Sequence, residues 1–152
     1  MLFVLLAFSG CYSFRPQSEA LVKSVAVLTF ENQTPELTIS DRLTTSVMDE
    51  LIKDGSIKIL PEGEAESLLR GSLTSYQRSA YQFDESDRVQ RYKITMVFEL
   101  ELTRRADQSL IWRVTATQDG IYEADTQTET DGQNLAIAAL AQTIVTKTTR
   151  SW

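Results

Sequence analysis

The chain has 152 residues, is 42% hydrophobic and carries a formal net charge of -6. That is enough for one core and one domain, and the acidic balance lacks the basic field that non-specific nucleic-acid binding needs. There is no His, which excludes imidazole base catalysis and His metal ligation, and the single Cys excludes an intramolecular disulfide.

Met1 to Gly10 is almost wholly apolar and stops at Cys11. It is too short for a bilayer span of roughly 20 residues, but it suits the apolar region and cleavage zone of a signal peptide, residues 1–10. Ser9 and Gly10 are the small residues a peptidase needs before its cut. Ser9-Gly10-Cys11 therefore resembles a bacterial lipobox, in which the Cys11 thiol receives a diacylglyceryl group and becomes the mature N-terminus. Phe8 stands where a lipobox normally has Leu, and no Lys or Arg precedes the apolar run, which leaves room for a start upstream of Met1. The competing reading is a buried free Cys beside a hydrophobic N-terminal strand. Acylation is preferred because it accounts for the solitary Cys and its position together. Stable anchoring takes more than one acyl chain. Tyr12 follows the Cys where inner-membrane retention would show Asp, which points to the periplasmic side of a bacterial outer membrane. Residues 11–22 read as a lipidated tether, and 23–152 as a single domain.

Lys23 to Phe30 is apolar on both faces and suits a covered strand. Glu31 to Pro35 breaks it. Thr34 before Pro35, and Thr38 with Asp41, are two helix-start signals. Asn32-Gln33-Thr34 also fits a glycosylation sequon, which we read as turn chemistry. The helix should run to Asp54 and stop at Gly55. Ile39, Leu43, Val47 and Leu51 recur every four residues, widened by Met48 and Ile52. This stripe either covers a sheet, the preferred reading, or binds a partner. Ser56 to Leu60 is a brief strand ended by Pro61, and Glu62 to Ser67 is a polar connection.

Leu68 to Gln82 is a long strand, turned at Asp84–Asp87 into the dominant one, Arg91 to Thr103. There Tyr92, Ile94, Met96, Phe98, Leu100 and Leu102 alternate with Lys93, Thr95, Val97, Glu99 and Glu101, the pattern of a half-buried strand. Pairing Leu73 with Phe98 sets Leu69 opposite Leu102, Gly71 opposite Leu100, Arg70 opposite Glu101 and Arg78 opposite Lys93. After a turn at Arg104–Gln108, pairing Phe98 with Val114 brings Met96 to Ala116, Leu100 to Trp112, Leu102 to Leu110, Glu99 to Arg113 and Lys93 to Asp119. A one-residue slip would invert every side chain, so a register that satisfies both faces carries content. Tyr122 to Asp131 reads as polar and turn-rich. A last helix, Gly132 to Arg150, should bury Leu135, Ala138, Ala141 and Val145, with Ile137, Leu140 and Ile144 beside them.

Cys11-Tyr-Ser-Phe14, Val25 to Asn32, Glu50 to Gly55, Leu69 to Tyr76, Tyr92 to Val97 and Leu110-Ile-Trp112 together, in this order and spacing, resemble the LPS-assembly lipoproteins of the LptE family. The resemblance implies an α/β (α+β) two-layer sandwich, with two helices on one face of a mixed, mostly antiparallel sheet of about four strands. It also implies a non-enzymatic outer-membrane lipoprotein that plugs an LptD-like β-barrel, assists its assembly and binds lipopolysaccharide (LPS) during insertion into the outer leaflet. No cofactor is expected.

An LPS contact should be cationic, with Arg suited to bidentate phosphate or carboxylate recognition. The candidates are Arg78, Arg88, Arg91 and Lys93, gathered by the proposed register at the turn end of the long hairpin. The plainer reading is a solvated hairpin end, with Lys93 on Asp119 and the arginines near Asp84, Glu85 and Asp87. No phosphate loop, nucleophile elbow or zinc spacing supports catalysis. The realistic alternative is another outer-membrane lipoprotein serving as an assembly or envelope-binding module.

Overall fold

A computed structural model describes residues 22–149. Six strands are present: β1 (Ser24–Val27), β2 (Glu31–Asn32), β3 (Lys58–Ile59), β4 (Ser67–Phe83), β5 (Val89–Arg104) and β6 (Leu110–Glu123). Two helices, α1 (Ser40–Asp54) and α2 (Glu129–Thr149), pack against them. The sheet order is β3-β1-β4-β5-β6, with β2 also on β4. β1 runs parallel to β3 and β4, β2 parallel to β4, and β4-β5-β6 form an antiparallel meander. The two-layer α+β architecture is as expected, with six strands in place of about four. Of the six, β2 is the one with no counterpart among the strands read from the sequence, and it falls in the stretch read as a break.

The core forms where the expected apolar faces meet. Ile94, Met96, Phe98, Leu100 and Leu102 of β5 are all fully buried beside Leu69 and Leu73 of β4. Ile39, just ahead of α1, and Leu43, Val47 and Leu51 within it close over them, as do Ala136, Ile137, Leu140, Ala141, Ile144 and Val145 from α2. Val22, expected in the tether, is buried in this core as well. A smaller cluster of Ala26, Ala65 and Leu68 lies apart from it. Arg105 fastens the nearby loop by donating its Nε to the Ala65 carbonyl at 2.6 Å.

α1 ends as predicted. Gly55 adopts φ 73°, a left-handed cap open to Gly at no steric cost, and its N–H reaches the Leu51 carbonyl at 3.2 Å. Its start differs from either signal. A 3-10 turn, Leu37–Ile39, precedes it, capped by the Glu36 side chain on the Thr38 N–H. Asn32 organises the approach: its Oδ1 accepts from the Thr34 N–H (3.0 Å) and hydroxyl (2.7 Å), and its Nδ2 donates to the Glu36 carbonyl (2.7 Å). The sequon is thus a turn. Ile52 proves exposed, so the buried stripe of α1 is narrower than expected.

α2 starts three residues before Gly132, and its buried face is turned relative to the expectation. Leu135 is 49% exposed and Ala138 half-buried, while Ala136 and Gln133 are buried. The cause is a close backbone approach. A Cβ at Gly120 of β6 would overlap the Gly132 carbonyl, and one at Gly132 would strike the Tyr122 ring. Two glycines therefore let α2 sit directly on β6. Tyr122, expected in a turn-rich connection, is the inward end of β6 and is buried.

The β4–β5 register holds from Leu69↔Leu102 through Leu73↔Phe98, including Arg70↔Glu101. Thr74 is then an extra residue: Leu73 faces Phe98, but Ser75 faces Val97. Such a bulge inverts the faces of all that follows. Arg78 lies opposite Ile94, not Lys93. The β5–β6 register is two residues from the expected one, with Phe98 opposite Ala116, Met96 opposite Gln118, Leu100 opposite Val114 and Leu102 opposite Trp112. One residue comes from a tighter turn, which pairs Thr103 with Leu110, and the other from an irregularity at Ile111. An even slip keeps each side chain on its face but changes its partner. Glu101, not Glu99, takes Arg113, and Lys93 faces Ile121 while reaching Asp119 diagonally at 3.9 Å.

Candidate functional site

β4, β5 and β6 contain 17, 16 and 14 residues, far above the usual five or six. Tyr76 of β4 bonds Glu129 at the first turn of α2, so that level marks the end of the helical layer. From there to Phe83 the hairpin continues for roughly 23 Å at about 3.3 Å per residue. All of residues 77–91 are exposed or half-buried.

The four candidate cations lie along this extension, but not as one cluster. The bulge at Thr74 sends Arg78 to the helix-side face. There its guanidinium stacks 3.9 Å from the Tyr92 ring centroid, donates its Nε to the Tyr122 hydroxyl at 2.6 Å, and stands 3.6 Å from Glu129. The Tyr122 bond, more than nearby Glu129, raises the Arg78 pKa above its ordinary value. Lys93 points to the opposite face, towards Asp119 and 5.8 Å from the Tyr81 ring centroid. Arg91 donates to Glu123 at 2.6 Å, not to the turn carboxylates. Arg88 donates to Asp84 at 2.8 Å, as expected, yet its side chain is 81% exposed.

The turn itself is built by Asp84. Its Oδ1 accepts from the backbone N–H groups of Ser86 (2.8 Å) and Arg88 (3.0 Å). The Arg88 N–H, before the other donors, holds the Asp84 carboxyl below the usual carboxylate range. Asp87 takes φ 58°, a left-handed conformation that Asp tolerates. The turn also carries Glu85 and Asp87, so its three carboxylates balance Arg88, Arg91 and Lys93 in sequence. Two exposed aromatics, Tyr81 (52%) and Phe83 (54%), share this end with them.

Below it lies a polar junction that sequence reasoning missed. The Tyr76 hydroxyl donates to Glu129 (2.5 Å) and accepts from Gln133 Nε2 (2.9 Å). Gln133 is buried at 1% exposure, and its carbonyl takes Arg42 of α1. Burial first, and the Glu129 hydrogen bond second, push the Tyr76 pKa well up. Strands and both helices are therefore tied at one level. The signal was hidden because Tyr76 follows the bulge, where the alternation of β4 changes phase.

The helix-free face of the sheet bears Arg70, Glu99, Glu101 and Arg113 around an open cleft of about 730 Å³. Arg70 reaches the Thr103 hydroxyl at 3.2 Å, while Arg113 is bound to Glu101, which raises the Arg113 pKa. Among the described residues no group of His, Cys, Asp or Glu could hold a metal, and no helix is long and apolar enough to cross a membrane. Cys11 lies outside the described residues.

Solved structures share this fold at low identity. Protein XCC0632 from Xanthomonas campestris aligns over 86% of this chain and 85% of its own, with 12% identity and a TM-score of 0.58. The PelC dodecamer from Paraburkholderia phytofirmans aligns over 87% and 91%, with 15% identity and a TM-score of 0.54. The hypothetical protein CT253 from Chlamydia trachomatis aligns over 82% and 91%, with 9% identity and a TM-score of 0.52. No curated protein matches the chain by sequence. The family model described as "LptE: Lipopolysaccharide-assembly" matches residues 22–150, the whole sandwich, and the chain belongs to that family.

Proposed function

We propose that this LptE-family chain is an outer-membrane lipoprotein, held at the periplasmic face by acylated Cys11, that plugs the lumen of an LptD-like β-barrel, assists its assembly and contacts LPS as it passes. The observation that supports this reading best is the hairpin that outruns its helices. A plug for a long lumen needs reach along the barrel axis, and β4 and β5 supply it from a rigid base. The helix-free face, with Arg70, Ser72, Glu99, Glu101, Arg113, Thr115 and Thr117, is polar enough to lie against a wet lumen wall. No bond chemistry is involved.

The LPS contact is assigned to Arg88, Arg91 and Lys93, with Arg78 behind them on the other face. Each is engaged by a carboxylate. Exposed pairs of this kind contribute only about 0–1 kcal/mol, so phosphate groups compete well for the same donors. An Arg with one carboxylate partner still has fork geometry to offer a phosphate. Arg78 is the least available, since Tyr92, Tyr122 and Glu129 surround it.

Copurification in mild detergent tests the barrel reading. A large β-barrel should accompany the chain, and photo-crosslinkers along Arg91–Thr103 should reach it. Recovery as a free chain at every detergent strength sinks the plug. For LPS, a triple substitution of Arg88, Arg91 and Lys93 by Gln should lower LPS capture with the fold intact. Undiminished capture removes the site.

A further inference from the structure

We propose that the open edge of β6 pairs antiparallel with β6 of a second copy, joining two sheets through a two-fold axis at Ala116. This goes beyond the barrel and LPS reading and does not rest on it.

β6 is the last strand of the sheet, so one side of its 14 residues has no strand neighbour among the described residues. Which groups face outward follows from two bonds. The Ala124 N–H crosses to the Gln90 carbonyl on the β5 side at 2.8 Å. The Glu123 N–H turns the other way, to Gln127 Oε1 at 2.7 Å. The register from Trp112 to Glu123 is unbroken, so the odd residues Arg113, Thr115, Thr117, Asp119 and Ile121 direct N–H and C=O to the free side. A long edge of unpaired groups is a template for another strand unless it is blunted. β6 has no Pro, and Gln127 blocks only its last position.

The sequence of β6 also reads as its own complement. About Ala116, Arg113 falls opposite Asp119 of the second copy and Thr115 opposite Thr117, all odd residues whose backbone groups are free to bond. Opposite charges and β-branched pairs directly across strands are favourable, and self-complementarity about a dyad is what an isologous interface requires. Moving the register by two either way sets Arg113 against Thr117 or Ile121 and loses both charge pairs. Moving it by four sets Arg113 against Glu123, whose N–H is already taken by Gln127. The Ala116 register is therefore preferred. Each Arg113 would keep Glu101 and each Asp119 its Lys93, so the pairs join into a four-member row across the dyad. Strand pairing alone buries little area, so the dimer should be weak and concentration-dependent.

The full chain, purified in mild detergent without a barrel, is compared at low concentration and at about 100 μM by sedimentation and residue-resolved hydrogen exchange. Dimers should form at the higher concentration, with slower exchange at Arg113, Thr115, Thr117 and Asp119. Thr117→Pro should raise the dissociation constant at least about tenfold and leave the monomer folded, since the lost N–H faces the free side and has no strand partner among the described residues. Arg113→Asp should also weaken pairing, and adding Asp119→Arg should restore it. Three results overturn the proposal: a monomer at both concentrations, edge amides already protected in dilute monomer, or a dimer indifferent to Thr117→Pro with native circular dichroism.

Discussion

The hairpin has two halves made of the same strands and held by different physics. Between Ser67 and Thr74 on β4, and Ile94 and Arg104 on β5, the inward side chains are locked under two helices, with Leu69, Leu73, Phe98 and Leu102 at zero exposure. Beyond Tyr76 almost nothing is buried, and the shape rests on Asp84, on ion pairs and on stacked Tyr92 and Tyr122, 5.5 Å apart. Burial specifies a register strongly, because a slip would expose the core. Polar contacts specify it weakly, and the irregularities of β4 at Thr74 and Tyr81 lie at and beyond the boundary. The exposed half can thus present cations on both faces, while the buried half supplies the rigidity that holds them out.

Removing volume from the buried half should have the largest effect. Phe98→Ala deletes a zero-exposure ring in the centre of β5 and should cost about 3–5 kcal/mol, seen as a lower urea midpoint in a single transition. A cost confined to the hairpin end would show that the two halves do not differ as described. Next is Gly120→Ala, whose Cβ would overlap the Gly132 carbonyl. It should cost about 1–3 kcal/mol as α2 is pushed off β6, and Gly120→Ala that melts like wild type would mean α2 is not seated there.

How far each half was legible from sequence follows the same division. The apolar alternation of Tyr92 to Leu102 gave the inward face of β5 and, through Leu73↔Phe98, the correct β4 partner. The every-four spacing of Ile39 to Leu51 gave the sheet-covering face of α1. Periodicity says nothing of an inserted residue, so the bulge at Thr74 was invisible and Arg78 was set beside Lys93. An even slip leaves the pattern intact as well, which is why Arg113 was given Glu99 in place of Glu101. The face of α2 was misjudged because a stripe of Leu, Ile and Ala outlines no single face, and the two glycines that decide it lie on different elements, Gly120 on β6 and Gly132 on α2.

The junction between the halves should respond at an intermediate level. Gln133→Ala leaves the Tyr76 hydroxyl and Arg42 short of a partner in a buried site, at a cost of about 1–3 kcal/mol. Hydrogen exchange should rise in residues 76–92 more than in α1. Equal loosening everywhere would make Gln133 an ordinary core residue. Tyr76 adds a pH dependence. Its folded pKa is raised, mainly by burial, so its contribution is present below the unfolded value near 10 and lost as pH rises through the folded one. Alkaline loosening of the hairpin should therefore begin above about pH 10 and be absent in Tyr76→Phe.

The smallest and most local effect belongs to the turn. Asp84 has a lowered folded pKa, set first by the Arg88 backbone N–H and helped by Ser86 and the Arg88 side chain. Its contribution is complete above the unfolded value near 3.9 and disappears as pH falls through the folded value. Acidification should release the Ser86 and Arg88 amides below about pH 4, while the amides of Phe98 and Leu100 stay protected. Asp84→Asn keeps an acceptor but removes the titration, so its amide shifts should be flat over the same range. Because Arg88 is oriented by this one carboxylate, the substitution also frees it without discharging it. LPS capture should then hold steady or rise slightly in Asp84→Asn. A fall in capture would mean that the Asp84 turn, and not the charge of Arg88, is what the exposed half contributes.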